Sequence, residues 1–198
     1  MAPTLIDRFN CKDGYEIYPD VQRYLQELSK SPYRKAGAES RIVVGVITNS
    51  DDRVPDVLSS LGLKVDRLRH GSAVSEHVPT DSQNDIDFAI MSYDVGFEKP
   101  HRRIFDAATE MLKSMLVAEG QQHPSLDDWQ LLYVGDEMEK DAKGAVGAGW
   151  DAIVVDREAQ GGAKGVSYKT RIQGSEVDVL SDFGALENLK NRYSLLFS

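Results

Sequence analysis

Apolar residues along this 198-residue chain come in short runs whose spacing switches between helical and extended periods. From Tyr18 to Ser29, the residues Val21, Tyr24, Leu25 and Leu28 recur at helical spacing, with Pro19 suited to a first turn. Ser31 to Ser40 is polar and broken by Pro32 and Gly37, which predicts a loop. Ile42-Val43-Val44-Gly45-Val46-Ile47 is rich in β-branched residues and predicts a strand buried on both faces, ending in Thr48-Asn49-Ser50-Asp51. Val54, Val57, Leu58 and Leu61 predict a short helix with Pro55 in its first turn and Gly62 past its end. A weak extended piece, Leu63 to Leu68, precedes a patternless stretch from His70 to Asp85.

Asp87 to Ser92 predicts another strand, closed by Tyr93-Asp94-Val95-Gly96-Phe97-Glu98-Lys99-Pro100. Ile104, Ala108, Met111 and Met115 then share a helical face. Leu131-Leu132-Tyr133-Val134 predicts a buried parallel strand delivering Gly135 and Asp136 to its C-terminal end, with a helix starting near Met138 and stopping at Gly147-Ala148-Gly149. Ala152 to Val155 is a last short strand, Glu158 to Glu176 a polar surface excursion, and Leu180 to Leu189 a closing amphipathic helix. Met1 to Gly14 has no clear periodicity.

Strands alternating with helices predict an α/β fold, a parallel sheet with helices on both faces. Right-handed crossovers would bring the strand C-terminal ends, and so Thr48, Ser92, Asp136 and Asp156, to one rim. Ligands of such sheets bind at that edge.

Composition narrows the reading. A formal charge of -9 without a Lys/Arg cluster argues against nucleic acid as the main partner. The single cysteine, Cys11, excludes an internal disulfide and any multi-cysteine metal site. No signal peptide or membrane span is visible, so the expectation is a soluble, intracellular protein, cytoplasmic or nuclear. The four histidines are scattered, and Gly144-x-x-Gly147-x-Gly149 has the wrong spacing and order for a nicotinamide site.

Four positions on the rim carry candidate chemistry. Thr48 offers a hydroxyl and neighbouring backbone N–H groups to a phosphate oxygen, or simply caps a helix. Lys99, fixed between a glycine turn and Pro100, can set a compact positive charge against a phosphoryl group, or is a solvated lysine. Asp136 and Asp141 are five residues apart and near enough to share a divalent cation, although Asp136 alone would also serve as a helix cap.

The succession Val46-Ile47-Thr48-Asn49, then Val95-Gly96-Phe97-Glu98-Lys99-Pro100, then Tyr133-Val134-Gly135-Asp136 through Asp141 resembles the second, third and fourth motifs of the haloacid dehalogenase superfamily of phosphohydrolases. The likeness covers about Tyr18 to Arg157, and its closest flavour is the eukaryotic subgroup with a helical cap. It implies a three-layer Rossmann-like core over residues 18–198, residues 1–17 being a remnant of the segment returning from the cap. It also implies that Thr48, with Asn49, binds the substrate phosphate, that Lys99 stabilises charge on the phosphoryl oxygens, and that Asp136 assisted by Asp141 holds Mg²⁺. The partner would be a phosphorylated small molecule.

The family's first motif, Asp-x-Asp at the end of the first strand, supplies its nucleophile and general acid/base. The one Asp-x-Asp in this chain, Asp85-Ile86-Asp87, precedes a strand instead of ending one. The expectation is therefore a sheet missing its central first strand, Mg²⁺ held weakly or not at all, and no turnover by the chain as written. A truncated gene reading or a pseudoenzyme acting as a phosphate-binding or interaction module would both fit. A vacant strand position also gives a motive for self-association.

Overall fold

The computed structural model describes residues 8–35, 41–72, 84–158, 163–189, 192 and 193. They fall into two compact units, residues 1–96 with 107–124, and residues 97–106 with 125–198. Each unit alternates helices with parallel strands, as the periodicity predicts.

The first unit contains helix α1 (Pro19–Leu28), strand β1 (Gly45–Thr48), helix α2 (Val54–Ser60) and strand β2 (Phe88–Met91). It also contains helix α3 (Arg102–Ala118) from Ala107 onward. β1 and β2 are parallel, Gly45 standing opposite Phe88 and Thr48 opposite Met91, so Thr48 and Ser92 emerge at one end as expected. β2 is buried at every position and forms the core with Met111, Leu112, Met115 and Leu116 of α3. Gly45 has no room for a side chain, because a Cβ there would lie 2.3 Å from the Phe88 ring.

Two expectations fail in this unit. β1 starts at Gly45 instead of Ile42, because the Ile42 backbone is engaged elsewhere: its N–H donates to the Tyr33 carbonyl (2.7 Å) and its carbonyl accepts from Arg34 (3.1 Å). Nor is β1 buried on both faces; of its four residues only Ile47 is buried, and among the described residues it pairs with β2 alone. The extended piece from Leu63 forms isolated bridges, Val65 to Ile86 and Arg69 to Ala89, and not a strand. The stretch predicted as a loop after His70 lies mostly outside the described residues, as do residues 1–7 and 36–40.

The second unit is a four-stranded sheet in the order β3 (Leu132–Gly135), β4 (Asp151–Val155), β6 (Ser175–Leu180), β5 (Ser167–Ile172). The three pairings from β3 to β6 run parallel, and β5 closes antiparallel on β6. β3 and β4 end together, Gly135 opposite Val154, which brings Asp136 and Asp156 to one end. Helix α4 (Lys143–Ala148) joins them and stops at Gly149, whose φ of 89° suits a glycine C-cap.

The surface excursion expected over Glu158 to Glu176 includes an ordered element, the hairpin β5–β6, whose β5 is largely exposed. Gln173 and Gly174 connect the strands with φ of 50° and 87°, the backbone of a two-residue type I′ turn. Leu180, read as the start of a helix, instead ends β6, and a 3₁₀ helix follows at Phe183–Leu189. β3 is half-buried along its whole length, not buried as its composition predicts. Among the described residues it pairs with β4 only, and no strand precedes Gly45.

Candidate functional site

In the second unit the end of β3 and the turn after it assemble a charged cluster. Strand alternation puts Tyr133 and Gly135 on the same side of β3. Asp141 returns over that side from a π-helical turn spanning Met138–Ala142, its backbone N–H donating 2.8 Å to the Glu137 carbonyl. The Asp141 carboxylate passes so close to Gly135 that a Cβ there would lie 2.3 Å from Oδ2. The glycine before Asp136 is therefore required by this approach, beyond any role in turning the chain.

Both oxygens of Asp141 are occupied. Oδ2 accepts the backbone N–H groups of Asp136 (3.0 Å) and Glu137 (2.9 Å). Oδ1 accepts Lys99 Nζ at 2.7 Å and the Tyr133 hydroxyl at 3.3 Å. These four donors use the four lone-pair positions of an ionised carboxylate. Lys99 Nζ also donates to the Tyr133 oxygen at 2.8 Å. Burial, and then the Asp141 charge, push the Tyr133 phenol far above its ordinary range, so it remains a neutral hydroxyl able to donate and accept at once. The side chains of Lys99 and Asp141 are 12% and 4% exposed, so the ammonium is held in place and largely dry.

Packing fixes this geometry from behind. Phe105 meets the edge of Tyr133 at a centroid distance of 5.4 Å and that of Trp150 at 5.8 Å. Gly144 of α4 lies against Phe105 and Pro100, where a Cβ would come within 2.8 Å and 3.0 Å respectively. Lys99 is thereby anchored through its neighbour Pro100.

The two acids expected to share a cation differ in setting, Asp136 exposed and Asp141 buried. Asp136 is exposed at the end of β3, a single hard-oxygen ligand of the kind Mg²⁺ takes alongside waters and substrate oxygens. Asp141, saturated by its donors, fits the part of a carboxylate that positions Lys99 and the Asp136 backbone. Glu137, also exposed, pairs with Lys140. Among the described residues no group of three or more His, Cys, Asp or Glu side chains converges.

In the first unit, Thr48 ends β1 and Asn49 follows, both half-buried. The next carbonyl, of Ser50, accepts the Tyr93 N–H (3.2 Å) and the Ser92 hydroxyl (3.3 Å), tying the end of β1 to the end of β2. Asp51 then takes Arg53 in a two-pronged pair, both contacts 2.8 Å. Asp85 and Asp87 stand at the opposite, N-terminal end of β2. Asp85 accepts the Lys64 N–H (2.8 Å), while Asp87 accepts Arg34 at 2.6 and 3.0 Å and the Val44 N–H at 2.8 Å. Burial pushes the Asp87 carboxyl up, against the pull of Arg34 and Val44. These are structural carboxylates, in keeping with their rejection as an Asp-x-Asp nucleophile.

Lys99 and Asp141 are thus brought together, with Asp136 bonded through its backbone, while Thr48 and Asn49 belong to the other unit. Tyr133 is a participant that none of the motif positions singles out. Its signal was present, since it stands two residues before Gly135 and so on the same side of β3.

A family model described as HAD-hydrolase-like matches residues 96–182. An uncharacterized hydrolase of Schizosaccharomyces pombe is 31% identical over 156 residues, which are 79% of this chain and 54% of that protein. An uncharacterized protein of Saccharomyces cerevisiae is 26% identical over 166 residues, 79% of this chain and 44% of its own length. The chain therefore spans about half the length of the curated relatives it matches. Among solved structures, a HAD phosphatase from Thermococcus onnurineus aligns over 93% of this chain and 62% of its own, with a TM-score of 0.58 and 18% identity. A HAD-hydrolase from Bacillus subtilis bound to magnesium aligns over 92% and 57%, with a TM-score of 0.53 and 14% identity. Both likenesses concern the fold.

Proposed function

We propose that this chain, which matches a HAD-hydrolase-like family model over residues 96–182 and is 31% identical to an uncharacterized hydrolase of Schizosaccharomyces pombe over 156 residues, carries the charge-stabilising part of a phosphate monoester hydrolase site but does not turn over as written. The observation that carries this reading is the Lys99 ammonium, its side chain 12% exposed and held by Asp141 and Tyr133. A fixed cation in a dry setting can stabilise phosphoryl oxygens without reorganising, and phosphoryl transfer depends mainly on such stabilisation. Asp136 is the ligand for Mg²⁺, which when bound supplies further positive charge to the phosphoryl group. Asp141 positions Lys99 and the Asp136 backbone. Thr48 and Asn49 are the phosphate-binding candidates of the first unit, on the resemblance of Val46-Ile47-Thr48-Asn49 to the family's second motif. The one Asp-x-Asp of the sequence offers no attacking carboxylate, since Asp85 and Asp87 are committed to Lys64, Arg34 and Val44.

Assayed with p-nitrophenyl phosphate and Mg²⁺, the chain should release phosphate no faster than its Lys99→Ala variant. Phosphate and Mg²⁺ together should still raise its melting temperature, and should fail to raise that of Lys99→Ala. Turnover well above the variant would reject inactivity, and the absence of any ligand protection would reject the site.

A second reading is an interaction module. It is favoured by the apolar strand Leu132–Gly135, half-exposed along its length and paired on one edge among the described residues. A strand edge of that kind accepts another strand, here one from a second copy of the chain. A concentration-independent monomer mass in sedimentation would reject it.

A further inference from the structure

The first unit holds a cavity of about 350 Å³ that the proposed chemistry leaves unexplained. Thr48 lines it together with Tyr18, Val21, Val54, Val57 and Leu58. The aliphatic wall comes from α1 and α2, and Tyr18 is 59% exposed. The volume sits at the small end of ligand pockets, which span roughly 300–1,000 Å³, and exceeds the ~150 Å³ of a cavity that takes benzene. One or two rings would fill it.

Charge narrows the ligand further. The charged residues lining the cavity are Glu16, Asp51 and Arg53. Arg53 is held by Asp51 through two 2.8 Å contacts, and Glu16 adds a further negative charge, so a second anionic group on the part of the ligand away from Thr48 is disfavoured. The body of the ligand should therefore carry no second negative charge. Aliphatic side chains with a tyrosine at the rim favour a flat, uncharged ring.

We infer that this cavity binds the aryl group of a monoaryl phosphate, with the phosphate at Thr48. The placing of the phosphate rests on the role proposed for Thr48, whereas the binding of the ring does not. Ligand choice is then made in part by the helices flanking β1.

The test is titration of the ¹⁵N-labelled chain, with Mg²⁺ present, against inorganic phosphate, phenyl phosphate and phenol, followed through the backbone amides of Val54, Val57 and Leu58. Phenyl phosphate is expected to bind at least tenfold more tightly than inorganic phosphate and to shift those amides. Tyr18→Ala and Val54→Gln, both at partly exposed positions, should each reduce that preference at least threefold and leave inorganic phosphate binding unchanged. Thr48→Val should weaken both phosphates. Equal affinity for the two phosphates, or a preference untouched by both cavity variants, would overturn the inference. Phenol shifting the same amides while neither phosphate benefits from Thr48 would support the cavity and overturn the phosphate role.

Discussion

Asp141 lies over Gly135 so closely that the two positions specify one another: the carboxylate fills the space where any side chain at 135 would stand, with Oδ2 2.3 Å from the Cβ position. Gly135→Ala must displace the carboxylate or the strand. Overpacking of a tight contact costs about 1–3 kcal/mol, and here it also pulls Asp141 from two backbone N–H groups and from Lys99. Urea unfolding of Gly135→Ala should show a loss in that range. A loss below ~0.5 kcal/mol would mean the contact relaxes freely.

Lys99 and Asp141 should be strongly coupled. Removing one member of a buried ion pair typically costs ~3–5 kcal/mol, because the other is left uncompensated. Asp141→Ala should approach that loss, since it strands the ammonium and two N–H groups. Lys99→Met should cost less, because Asp141 keeps its backbone donors and Tyr133. The double variant should then be more stable than the sum of the single losses allows. Strict additivity in a double-mutant cycle would show that the pair does not act as a unit.

Much of this site could be read from the sequence because its parts are local or alternate along one strand. Gly135, Asp136 and Asp141 lie within seven residues, and the glycine turn before Lys99 marks a fixed position. The saturation of Asp141 was not legible, since it depends on Tyr133 and on a π-helical turn that no simple periodicity announces. Among the strands, β2 and β4 were found as continuous apolar runs. β1 was overextended because Arg34 and Tyr33, loop residues by their local pattern, take the Ile42 backbone by a tertiary contact. The β5–β6 hairpin is hard to read from sequence because β5 is largely exposed and polar, so its alternation carries little hydrophobic contrast, and only Val177, Val179 and the Gln173-Gly174 turn point to it.

That turn offers a stabilising change. Gln173 holds a left-handed φ of 50°, which costs an ordinary side chain about 1 kcal/mol or more. Asn tolerates the conformation and precedes Gly in favoured type I′ turns. Gln173→Asn should therefore raise the urea midpoint, while Gly174→Ala, at φ 87°, should lower it. Opposite signs are the expected result, and a shift of the same sign for both would refute the assigned turn.

Asp182 should make stability fall in acid. Its Oδ1 accepts the Ala185 N–H (3.1 Å) at the start of the 3₁₀ helix, and its Oδ2 accepts the Gly165 N–H (2.7 Å) and the Ser181 hydroxyl (2.9 Å). The Gly165 N–H, helped by Ser181 and Ala185, holds this carboxyl below its ordinary range despite partial burial. A carboxyl whose folded pKa is depressed stabilises the fold above its unfolded value, about 3.9, and loses that contribution as pH falls through the folded value. Replacing such a capping carboxylate costs about 0.5–2 kcal/mol at neutral pH. Asp182→Ala should show that loss by urea unfolding at pH 7, and the gap to the unsubstituted chain should narrow as the pH is brought down toward 3. A gap independent of pH would mean that the hydrogen bonds do not depend on the charge of Asp182.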